Sequence, residues 1–205
     1  MRFTPASDRS LLVTLGEGID FETNARVHCL SRHVQGLCGV TSQSPGYSSL
    51  LIRFDPLQTT HQELEALVRA TPIEERAALG ARIVEIPVHY DGPDLAEVAG
   101  RHSLSPQAVI EAHASTLYHA YFAGFVPGFV YLGEVPSAIA TPRRPSPRRE
   151  VPAGSVAIAG TQTGVYPRST PGGWNLIGRT AAIMFDREQG RALVEPGDQV
   201  RFIPQ

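Results

Sequence analysis

Lysine is missing from this chain: all 18 basic residues are arginines. That excludes a P-loop lysine, a Schiff-base lysine and a lysine general base. Any ATP chemistry the chain takes part in therefore does not use a Walker A motif of its own. Cysteine is scarce. Cys29 and Cys38 are the only two; their spacing fits no zinc motif, and two cysteines cannot build a disulfide framework. They read as reduced thiols of a cytoplasmic protein. No metal site is expected. No apolar run approaches the ~18 residues of a membrane span, and the opening MRFTPASDRS lacks the apolar stretch of a signal peptide. A net charge of −2 gives no reason to expect nucleic acid as a partner.

The first part of the chain alternates strand and helix signals. Residues 11–15, LLVTL, read as a strand. Asp20 is placed as the N-cap of a helix with Phe21, Ala25, Cys29, Leu30 and Val34 near helical spacing. A strand is expected around 39–44 and another over 48–54, SSLLIRF. Thr60 and Glu63 then form a capping box ahead of Leu64, Leu67 and Val68. These signals predict a small α+β domain over 1–78, with the boundary within 71–81.

The second part, 82–205, starts with a strand over 81–90 and two short helices, one over 93–101 and one from Ser105-Pro106 through His113. The remainder is β with turns. Pro127-Gly128 and Pro196-Gly197 have the order of type II turns. Strands expected at 119–126, 155–160, 174–178, 181–185 and 199–203 suggest a closed or partly closed barrel.

Residues 151–180 carry six glycines and three prolines but only two charges, Arg168 and Arg179. Tight barrel curvature would explain Gly154, Gly160 and Gly164; close approach of main chain to a ligand would explain them equally. Charge adds a second signal. Residues 115–185 hold six arginines against Glu134 and Glu150, a local +4 in a chain of net −2. Arginine forks suit carboxylate and phosphate. A cationic cavity for a small anion is therefore expected at the mouth of the barrel. Arg143, Arg148 and Arg179 are its candidates, whereas Arg144 and Arg149 read as a solvated basic loop. His113 either caps its helix or shuttles a proton in the barrel mouth. Gln162, Thr163 and Tyr166 leave a barrel strand where amide-binding groups would be useful. Trp174, the one tryptophan, reads as core.

Three stretches together resemble a known family: HASTLYHAYFAGFVPGFVYLGEVP, ATPRRPSPRREVPAGSVAIAGTQTGVYPRSTPGGWNLIGRT and LVEPGDQVRFIP. They are similar to the family of the kinase A inhibitor KipI, also called allophanate hydrolase subunit 1 or the B subunit of prokaryotic 5-oxoprolinase. The likeness runs over almost the whole chain, with small departures at Val126, Gly133-Glu134 and Thr161. It implies a ferredoxin-like N-terminal domain and a cyclophilin-like β-barrel C-terminal domain. It implies partners as well, a C-type subunit of related barrel fold and a separate A-type subunit of LamB/YcsF type. The assembly would open 5-oxoproline to glutamate with ATP, and this chain alone would be inactive. Such a reaction needs an anion clamp and oxyanion donors more than a strong nucleophile. On that expectation Arg143 and Arg148 grip carboxylate or phosphoryl oxygens, Gln162 and Thr163 orient the amide, His113 moves a proton, and Tyr166 and Arg179 complete the pocket. Two other functions fit the resemblance: inhibition of a sensor histidine kinase, and an allophanate- or urea-carboxylase-related amidohydrolase. An exposed apolar groove at Tyr118, Tyr121 and Phe129 would favour the kinase reading.

Overall fold

The computed structural model describes residues 1–72 and 82–205. Most of the expected boundary at 71–81 therefore lies outside the described residues. The chain divides into two compact units, Met1–Gly80 and Ala81–Gln205.

The first unit runs β1 (Arg2–Ser7), β2 (Ser10–Thr14), α1 (Phe21–Val34), β3 (Val40–Pro45), β4 (Ser49–Phe54) and α2 (His61–Ala70). Its sheet is antiparallel in the order β1-β2-β4-β3. The helix starts are those the sequence encodes. Asp20 accepts the Thr23 amide at 2.7 Å, and Thr60 and Glu63 complete a reciprocal capping box. Leu11, Val13, Leu50, Ile52 and Phe54 line one sheet face and meet Val27, Leu30, Val34, Leu64 and Val68 of the helices. The strand β1 carries no legible signal: nearly every residue in it is exposed and Pro5 interrupts it. It holds the edge beside β2 through ladder pairing, with Phe3 packed on the core and the Arg69 guanidinium 4.4 Å over its ring.

The second unit runs β5 (Ile83–Val88), α3 (Leu95–Arg101), α4 (Pro106–Ala114), β6 (Leu117–Ala123), β7 (Val130–Gly133), β8 (Arg148–Val151), β9 (Ser155–Ala159), β10 (Gln162–Val165), β11 (Thr170–Gly172), β12 (Asn175–Arg179), β13 (Phe185–Asp186), β14 (Arg191–Ala192) and β15 (Gln199–Pro204). Seven strands form one sheet, β12-β9-β10-β7-β6-β15-β5. Its two ends meet. His89, just past β5, exchanges both backbone hydrogen bonds with Arg179 of β12, at 2.9 and 2.8 Å. The sheet is thus a nearly closed barrel. Closure needs glycine on both sides: a Cβ on Gly178 would sit 2.7 Å from the His89 carbonyl oxygen, and one on Gly92 would run into the Leu176 carbonyl.

One expected strand is corrected. Residues 181–185 form no ladder strand; only Phe185 pairs, in the two-residue β13. The segment leaves the barrel after β12, with Ile183 pointing into solvent and only Met184 buried.

The wall formed by β7, β10, β9 and β12 has two buried faces. Val130, Leu132, Val156, Ile158, Val165 and Ile177 point into the barrel. Their alternating neighbours Tyr131, Ala157, Ala159 and Leu176 point outward, as the two-residue period of a strand requires. The outer face is covered by the ribbon of β8 and β11 and by the aromatic rings of Phe129, Tyr166 and Trp174. This is why SVAIAG carries so little side chain. A Cβ on Gly164 would lie 3.2 Å from the Phe129 ring and 3.5 Å from that of Trp174. Small residues on the outer face leave the space that the rings occupy.

Candidate functional site

The loop from β6 to β7 closes by a Pro127-Gly128 turn. The Phe129 amide donates to the Val126 carbonyl at 3.0 Å, and Gly128 takes φ +85 as a type II turn demands. Ahead of it, Phe125 adopts φ +67. A left-handed conformation costs a residue with a Cβ about 1–2 kcal/mol, and this phenyl ring is 56% exposed. Strain of this kind clusters at ligand sites. The ring stands edge-on to Phe129, centroids 5.5 Å apart. Phe129 in turn meets Trp174 and Tyr166, each at 5.4 Å and edge-to-face. Tyr131 continues the cluster to Trp174 at 5.8 Å.

These rings form one side of a cleft of about 290 Å³, whose rim includes Arg143, Arg144, Pro147 and the end of β11 with Gly173. The Arg143 guanidinium lies 5.9 Å over the Trp174 ring, within cation–π reach. Among the described residues Arg143 has no acidic partner, so its charge is open to a ligand. Gly172 is required here, because a Cβ would collide with the Tyr166 hydroxyl. Burial raises the pKa of Tyr166 and of Tyr131, and Arg143 opposes the rise at both. Both phenols stay protonated at neutral pH and able to donate. The segment 142–148 is tied to this wall: the Arg144 amide donates to Gly173 O at 2.8 Å, and Asn175 Nδ2 donates to Pro142 O at 2.8 Å.

Behind the rim stands Asp94, at the start of α3. It makes no side-chain cap for that helix. One carboxylate oxygen accepts from Arg144 Nη1 at 2.8 Å and from Arg148 Nη2 at 2.7 Å, and the other accepts the Leu176 amide at 2.7 Å.

Two of the seven residues expected from the sequence, Arg143 and Tyr166, line this cleft. Arg148 stands one layer back on Asp94. The cleft also lies on the outer face of the barrel wall, which corrects the expected place at the barrel mouth; the barrel interior is filled by side chains. Arg179 sits at the closing seam and pairs with Asp91 at 2.8 Å, largely in solvent. Gln162 opens β10 opposite Gly133 and Ala159, away from the cleft. Arg144, expected as a solvated loop residue, is instead a rim residue held by an ion pair. Trp174 is both core and cleft wall. Phe129 and Tyr131, two apart on one strand face, are a legible aromatic signal; Asp94 gives none.

His113 and Thr163 lie together inside the barrel, both fully buried. The Thr163 hydroxyl donates to Ala157 O at 3.0 Å. It must therefore accept from His113 Nε2, 2.9 Å away, which leaves His113 Nδ1 to accept from the Tyr90 hydroxyl at 2.8 Å. Tyr118 donates to the His113 carbonyl at 3.0 Å, and Phe202 packs on the ring. Burial pushes the imidazole pKa down from 6.5 to about 3. The structure does not bring this histidine to the cleft; it brings it to a neutral chain of hydrogen bonds in the core. A depressed folded pKa contributes stability that is complete above 6.5 and drains away as pH falls towards about 3. Between pH 6 and 5 that loss amounts to about 1 kcal/mol. Thermal melts at the two pH values are expected to show it in the wild type, and the His113→Gln variant is expected to lose that part of the pH slope. An equal slope in both proteins would mean that His113 is not the group responsible.

Among the described residues no group of three or more His, Cys, Asp and Glu is placed to hold a metal ion. No helix among them is long and apolar enough to cross a membrane. Tyr118, Tyr121 and Phe129 are all buried, so the apolar groove that would have favoured kinase binding is not formed by them.

Comparison with known proteins agrees over nearly the full length. The chain is 40% identical to the 5-oxoprolinase B subunit of Bacillus subtilis over 216 residues, covering 96% of this chain and 89% of that one. It is 40% identical to the 5-oxoprolinase B subunit of Escherichia coli O157:H7 over 203 residues, covering 97% and 93%. The crystal structure of TTHA0988 superposes with a TM-score of 0.87 at 42% identity, over 96% of this chain; the chain spans only 40% of that longer protein. Residues 1–194 match the family model described as carboxyltransferase domain, subdomain C and D. With that match and those relatives, the chain belongs to the carboxyltransferase-domain family, subdomains C and D.

Proposed function

We propose that this chain is the B-type subunit of a 5-oxoprolinase, and that the aromatic, arginine-rimmed cleft receives the lactam. The near full-length identity of 40% to two proteins named as that subunit carries the reading. The cleft supports it chemically. Small-molecule sites begin at about 300 Å³, and a cleft of about 290 Å³ suits one small ring. The ring faces of Phe129, Tyr131 and Trp174 suit the flat lactam. Arg143 and Arg144 suit its carboxylate, or a phosphoryl oxygen on the activated carbonyl.

The complex would be ATP-dependent. ATP, when bound, supplies the phosphoryl group that activates the lactam carbonyl towards water. This chain, without a lysine, brings no Walker A motif to that chemistry. Its part is to hold and orient the anion, to keep water off the ring face, and to meet negative charge developing on oxygen with guanidinium and phenol donors. Arg148 acts from behind through the Asp94 pair. Gln162, Thr163, His113 and Arg179 enter this reading only as supports of the barrel, since none reaches the cleft.

The domains are taken as 1–78 and 82–205. The strand order of the first unit, with helices after β2 and β4, supports a ferredoxin-like unit whose outer edge strand comes from the N-terminal side. The barrel of the second supports the cyclophilin-like reading.

The partners would be a C-type subunit and an A-type subunit. The isolated chain is expected to release no glutamate from 5-oxoproline, and mixing it with both partners is expected to give ATP-dependent glutamate release. If the two partners work equally well without this chain, the reading fails.

A further inference from the structure

Asp94 sits at the junction of three parts of the cleft. Its side chain is 4% exposed and faces two guanidinium groups at once, those of Arg144 and Arg148. Its second oxygen holds the Leu176 amide, while its own amide donates to Leu176 O at 3.0 Å. It thereby clips β12 two residues beyond Trp174. Glu97 pairs with Arg144 at 3.5 Å but also with Arg101 at 2.7 Å, so Asp94 and Glu97 face Arg101, Arg144 and Arg148 and one positive charge is left over. Donors are left over as well: Arg144 Nε and Arg148 Nη1 are buried and have no acceptor. Buried N–H groups without partners are rare in folded proteins and call for an explanation. Glu97 reaches Arg144 only at 3.5 Å and is half exposed, so it does not supply the missing acceptor.

We propose that Asp94 is a positioning residue for anion binding. It fixes the Arg144 guanidinium at the cleft rim, backed by Arg148, so that the surplus positive charge faces a carboxylate or phosphoryl oxygen bound in the cleft. Asp94 touches no ligand itself. A buried acid at the centre repels an anion that approaches directly. Its two hydrogen-bonded arginines screen it and present the net positive side. Without the carboxylate the two like charges separate, and Arg144 leaves the rim.

The inference rests on the cleft being the lactam site, and the test separates the two. Trp174 is the one tryptophan and a cleft wall, so its fluorescence reports binding in the full isolated chain. The probes are 5-oxoproline, inorganic phosphate, and pyrrolidin-2-one as the uncharged lactam. Asp94→Asn is expected to weaken 5-oxoproline and phosphate at least tenfold and to leave pyrrolidin-2-one within twofold. In the assembled complex KM for 5-oxoproline rises at least tenfold while kcat changes less than about threefold. Arg144→Gln is expected to give the same loss, and the double variant to be no more than twofold worse than either single one, because one residue acts through the other. Multiplying losses would make Asp94 merely structural and overturn the proposal, as would unchanged Kd values in Asp94→Asn. Should Asp94→Asn not fold, Arg144→Gln decides: wild-type affinity for both anions sinks the proposal. If wild type binds phosphate but not 5-oxoproline, the oxoprolinase reading falls and the phosphate titrations still judge Asp94. If neither anion alters Trp174 emission, both fall.

Discussion

Replacing Arg143 with alanine is expected to lower kcat/KM of the assembled oxoprolinase about 10- to 150-fold, the equivalent of ~1.5–3 kcal/mol for one charged hydrogen bond. The expectation follows from what Arg143 does not do. Arg144 and Arg148 share Asp94, and Arg179 has Asp91. Arg143 has no such partner among the described residues and holds its charge over the Trp174 ring. An arginine without an acid loses little fold stability when truncated, since surface charges contribute little. The loss should therefore appear in substrate handling, with the melting temperature nearly unchanged. Steady-state kinetics beside a thermal melt checks both halves. A variant with wild-type kcat/KM would remove Arg143 from the site. Arg143→Lys is informative as a partner variant, because an ammonium keeps charge without the planar fork. Partial rescue would say that charge dominates, and no rescue that geometry does.

The second large effect is on stability. Trp174 is 5% exposed and touches the rings of Phe129 and Tyr131 and the Cβ position of Gly164. Trp174→Ala removes the largest ring of the outer-wall cluster and opens a cavity beneath the cleft. Such truncations cost about 3–5 kcal/mol, a large part of the total stability of an ordinary domain. Equilibrium denaturation should show stability fall by that amount, with the barrel interior cluster intact. Trp174→Phe keeps most of the volume and is expected to cost much less, while it weakens cation–π contact with Arg143. A loss below about 1 kcal/mol in Trp174→Ala would mean that the ring packs on the surface of a wall able to stand without it.

Local signals are legible where the physics is local. Asp20, Thr60 with Glu63, and Ser105 cap their helices as their side chains dictate. Pro127-Gly128 and Pro196-Gly197 make the expected turns, with Gly128 and Gly197 at positive φ. Strands with a clear two-residue alternation stand out in the sequence. Those that do not stand out include β1, exposed nearly throughout, β7 and β10, only four residues each, the charged β8, and the two- and three-residue strands β11, β13 and β14. The site is legible only in part. Excess arginine and small residues over 143–179 mark the stretch that supplies Arg143, Arg144, Tyr166 and Trp174 to the cleft, because both signals are compositional. They do not say which arginine faces a ligand.

What this chain's sequence determined by itself is the inventory: arginine as the only cation besides histidine, helices begun at named caps, and strands whose alternate positions are small. Tertiary structure decided the use of that inventory. It put His113 in the core and Arg143 at the rim, because the surroundings of a side chain depend on how the sheet closes. It joined Asp94 to Arg144 and Arg148 across 50 and 54 residues of chain. No local propensity encodes such a pairing; it exists only once β12 and α3 are brought side by side, where a buried carboxylate must find its cations.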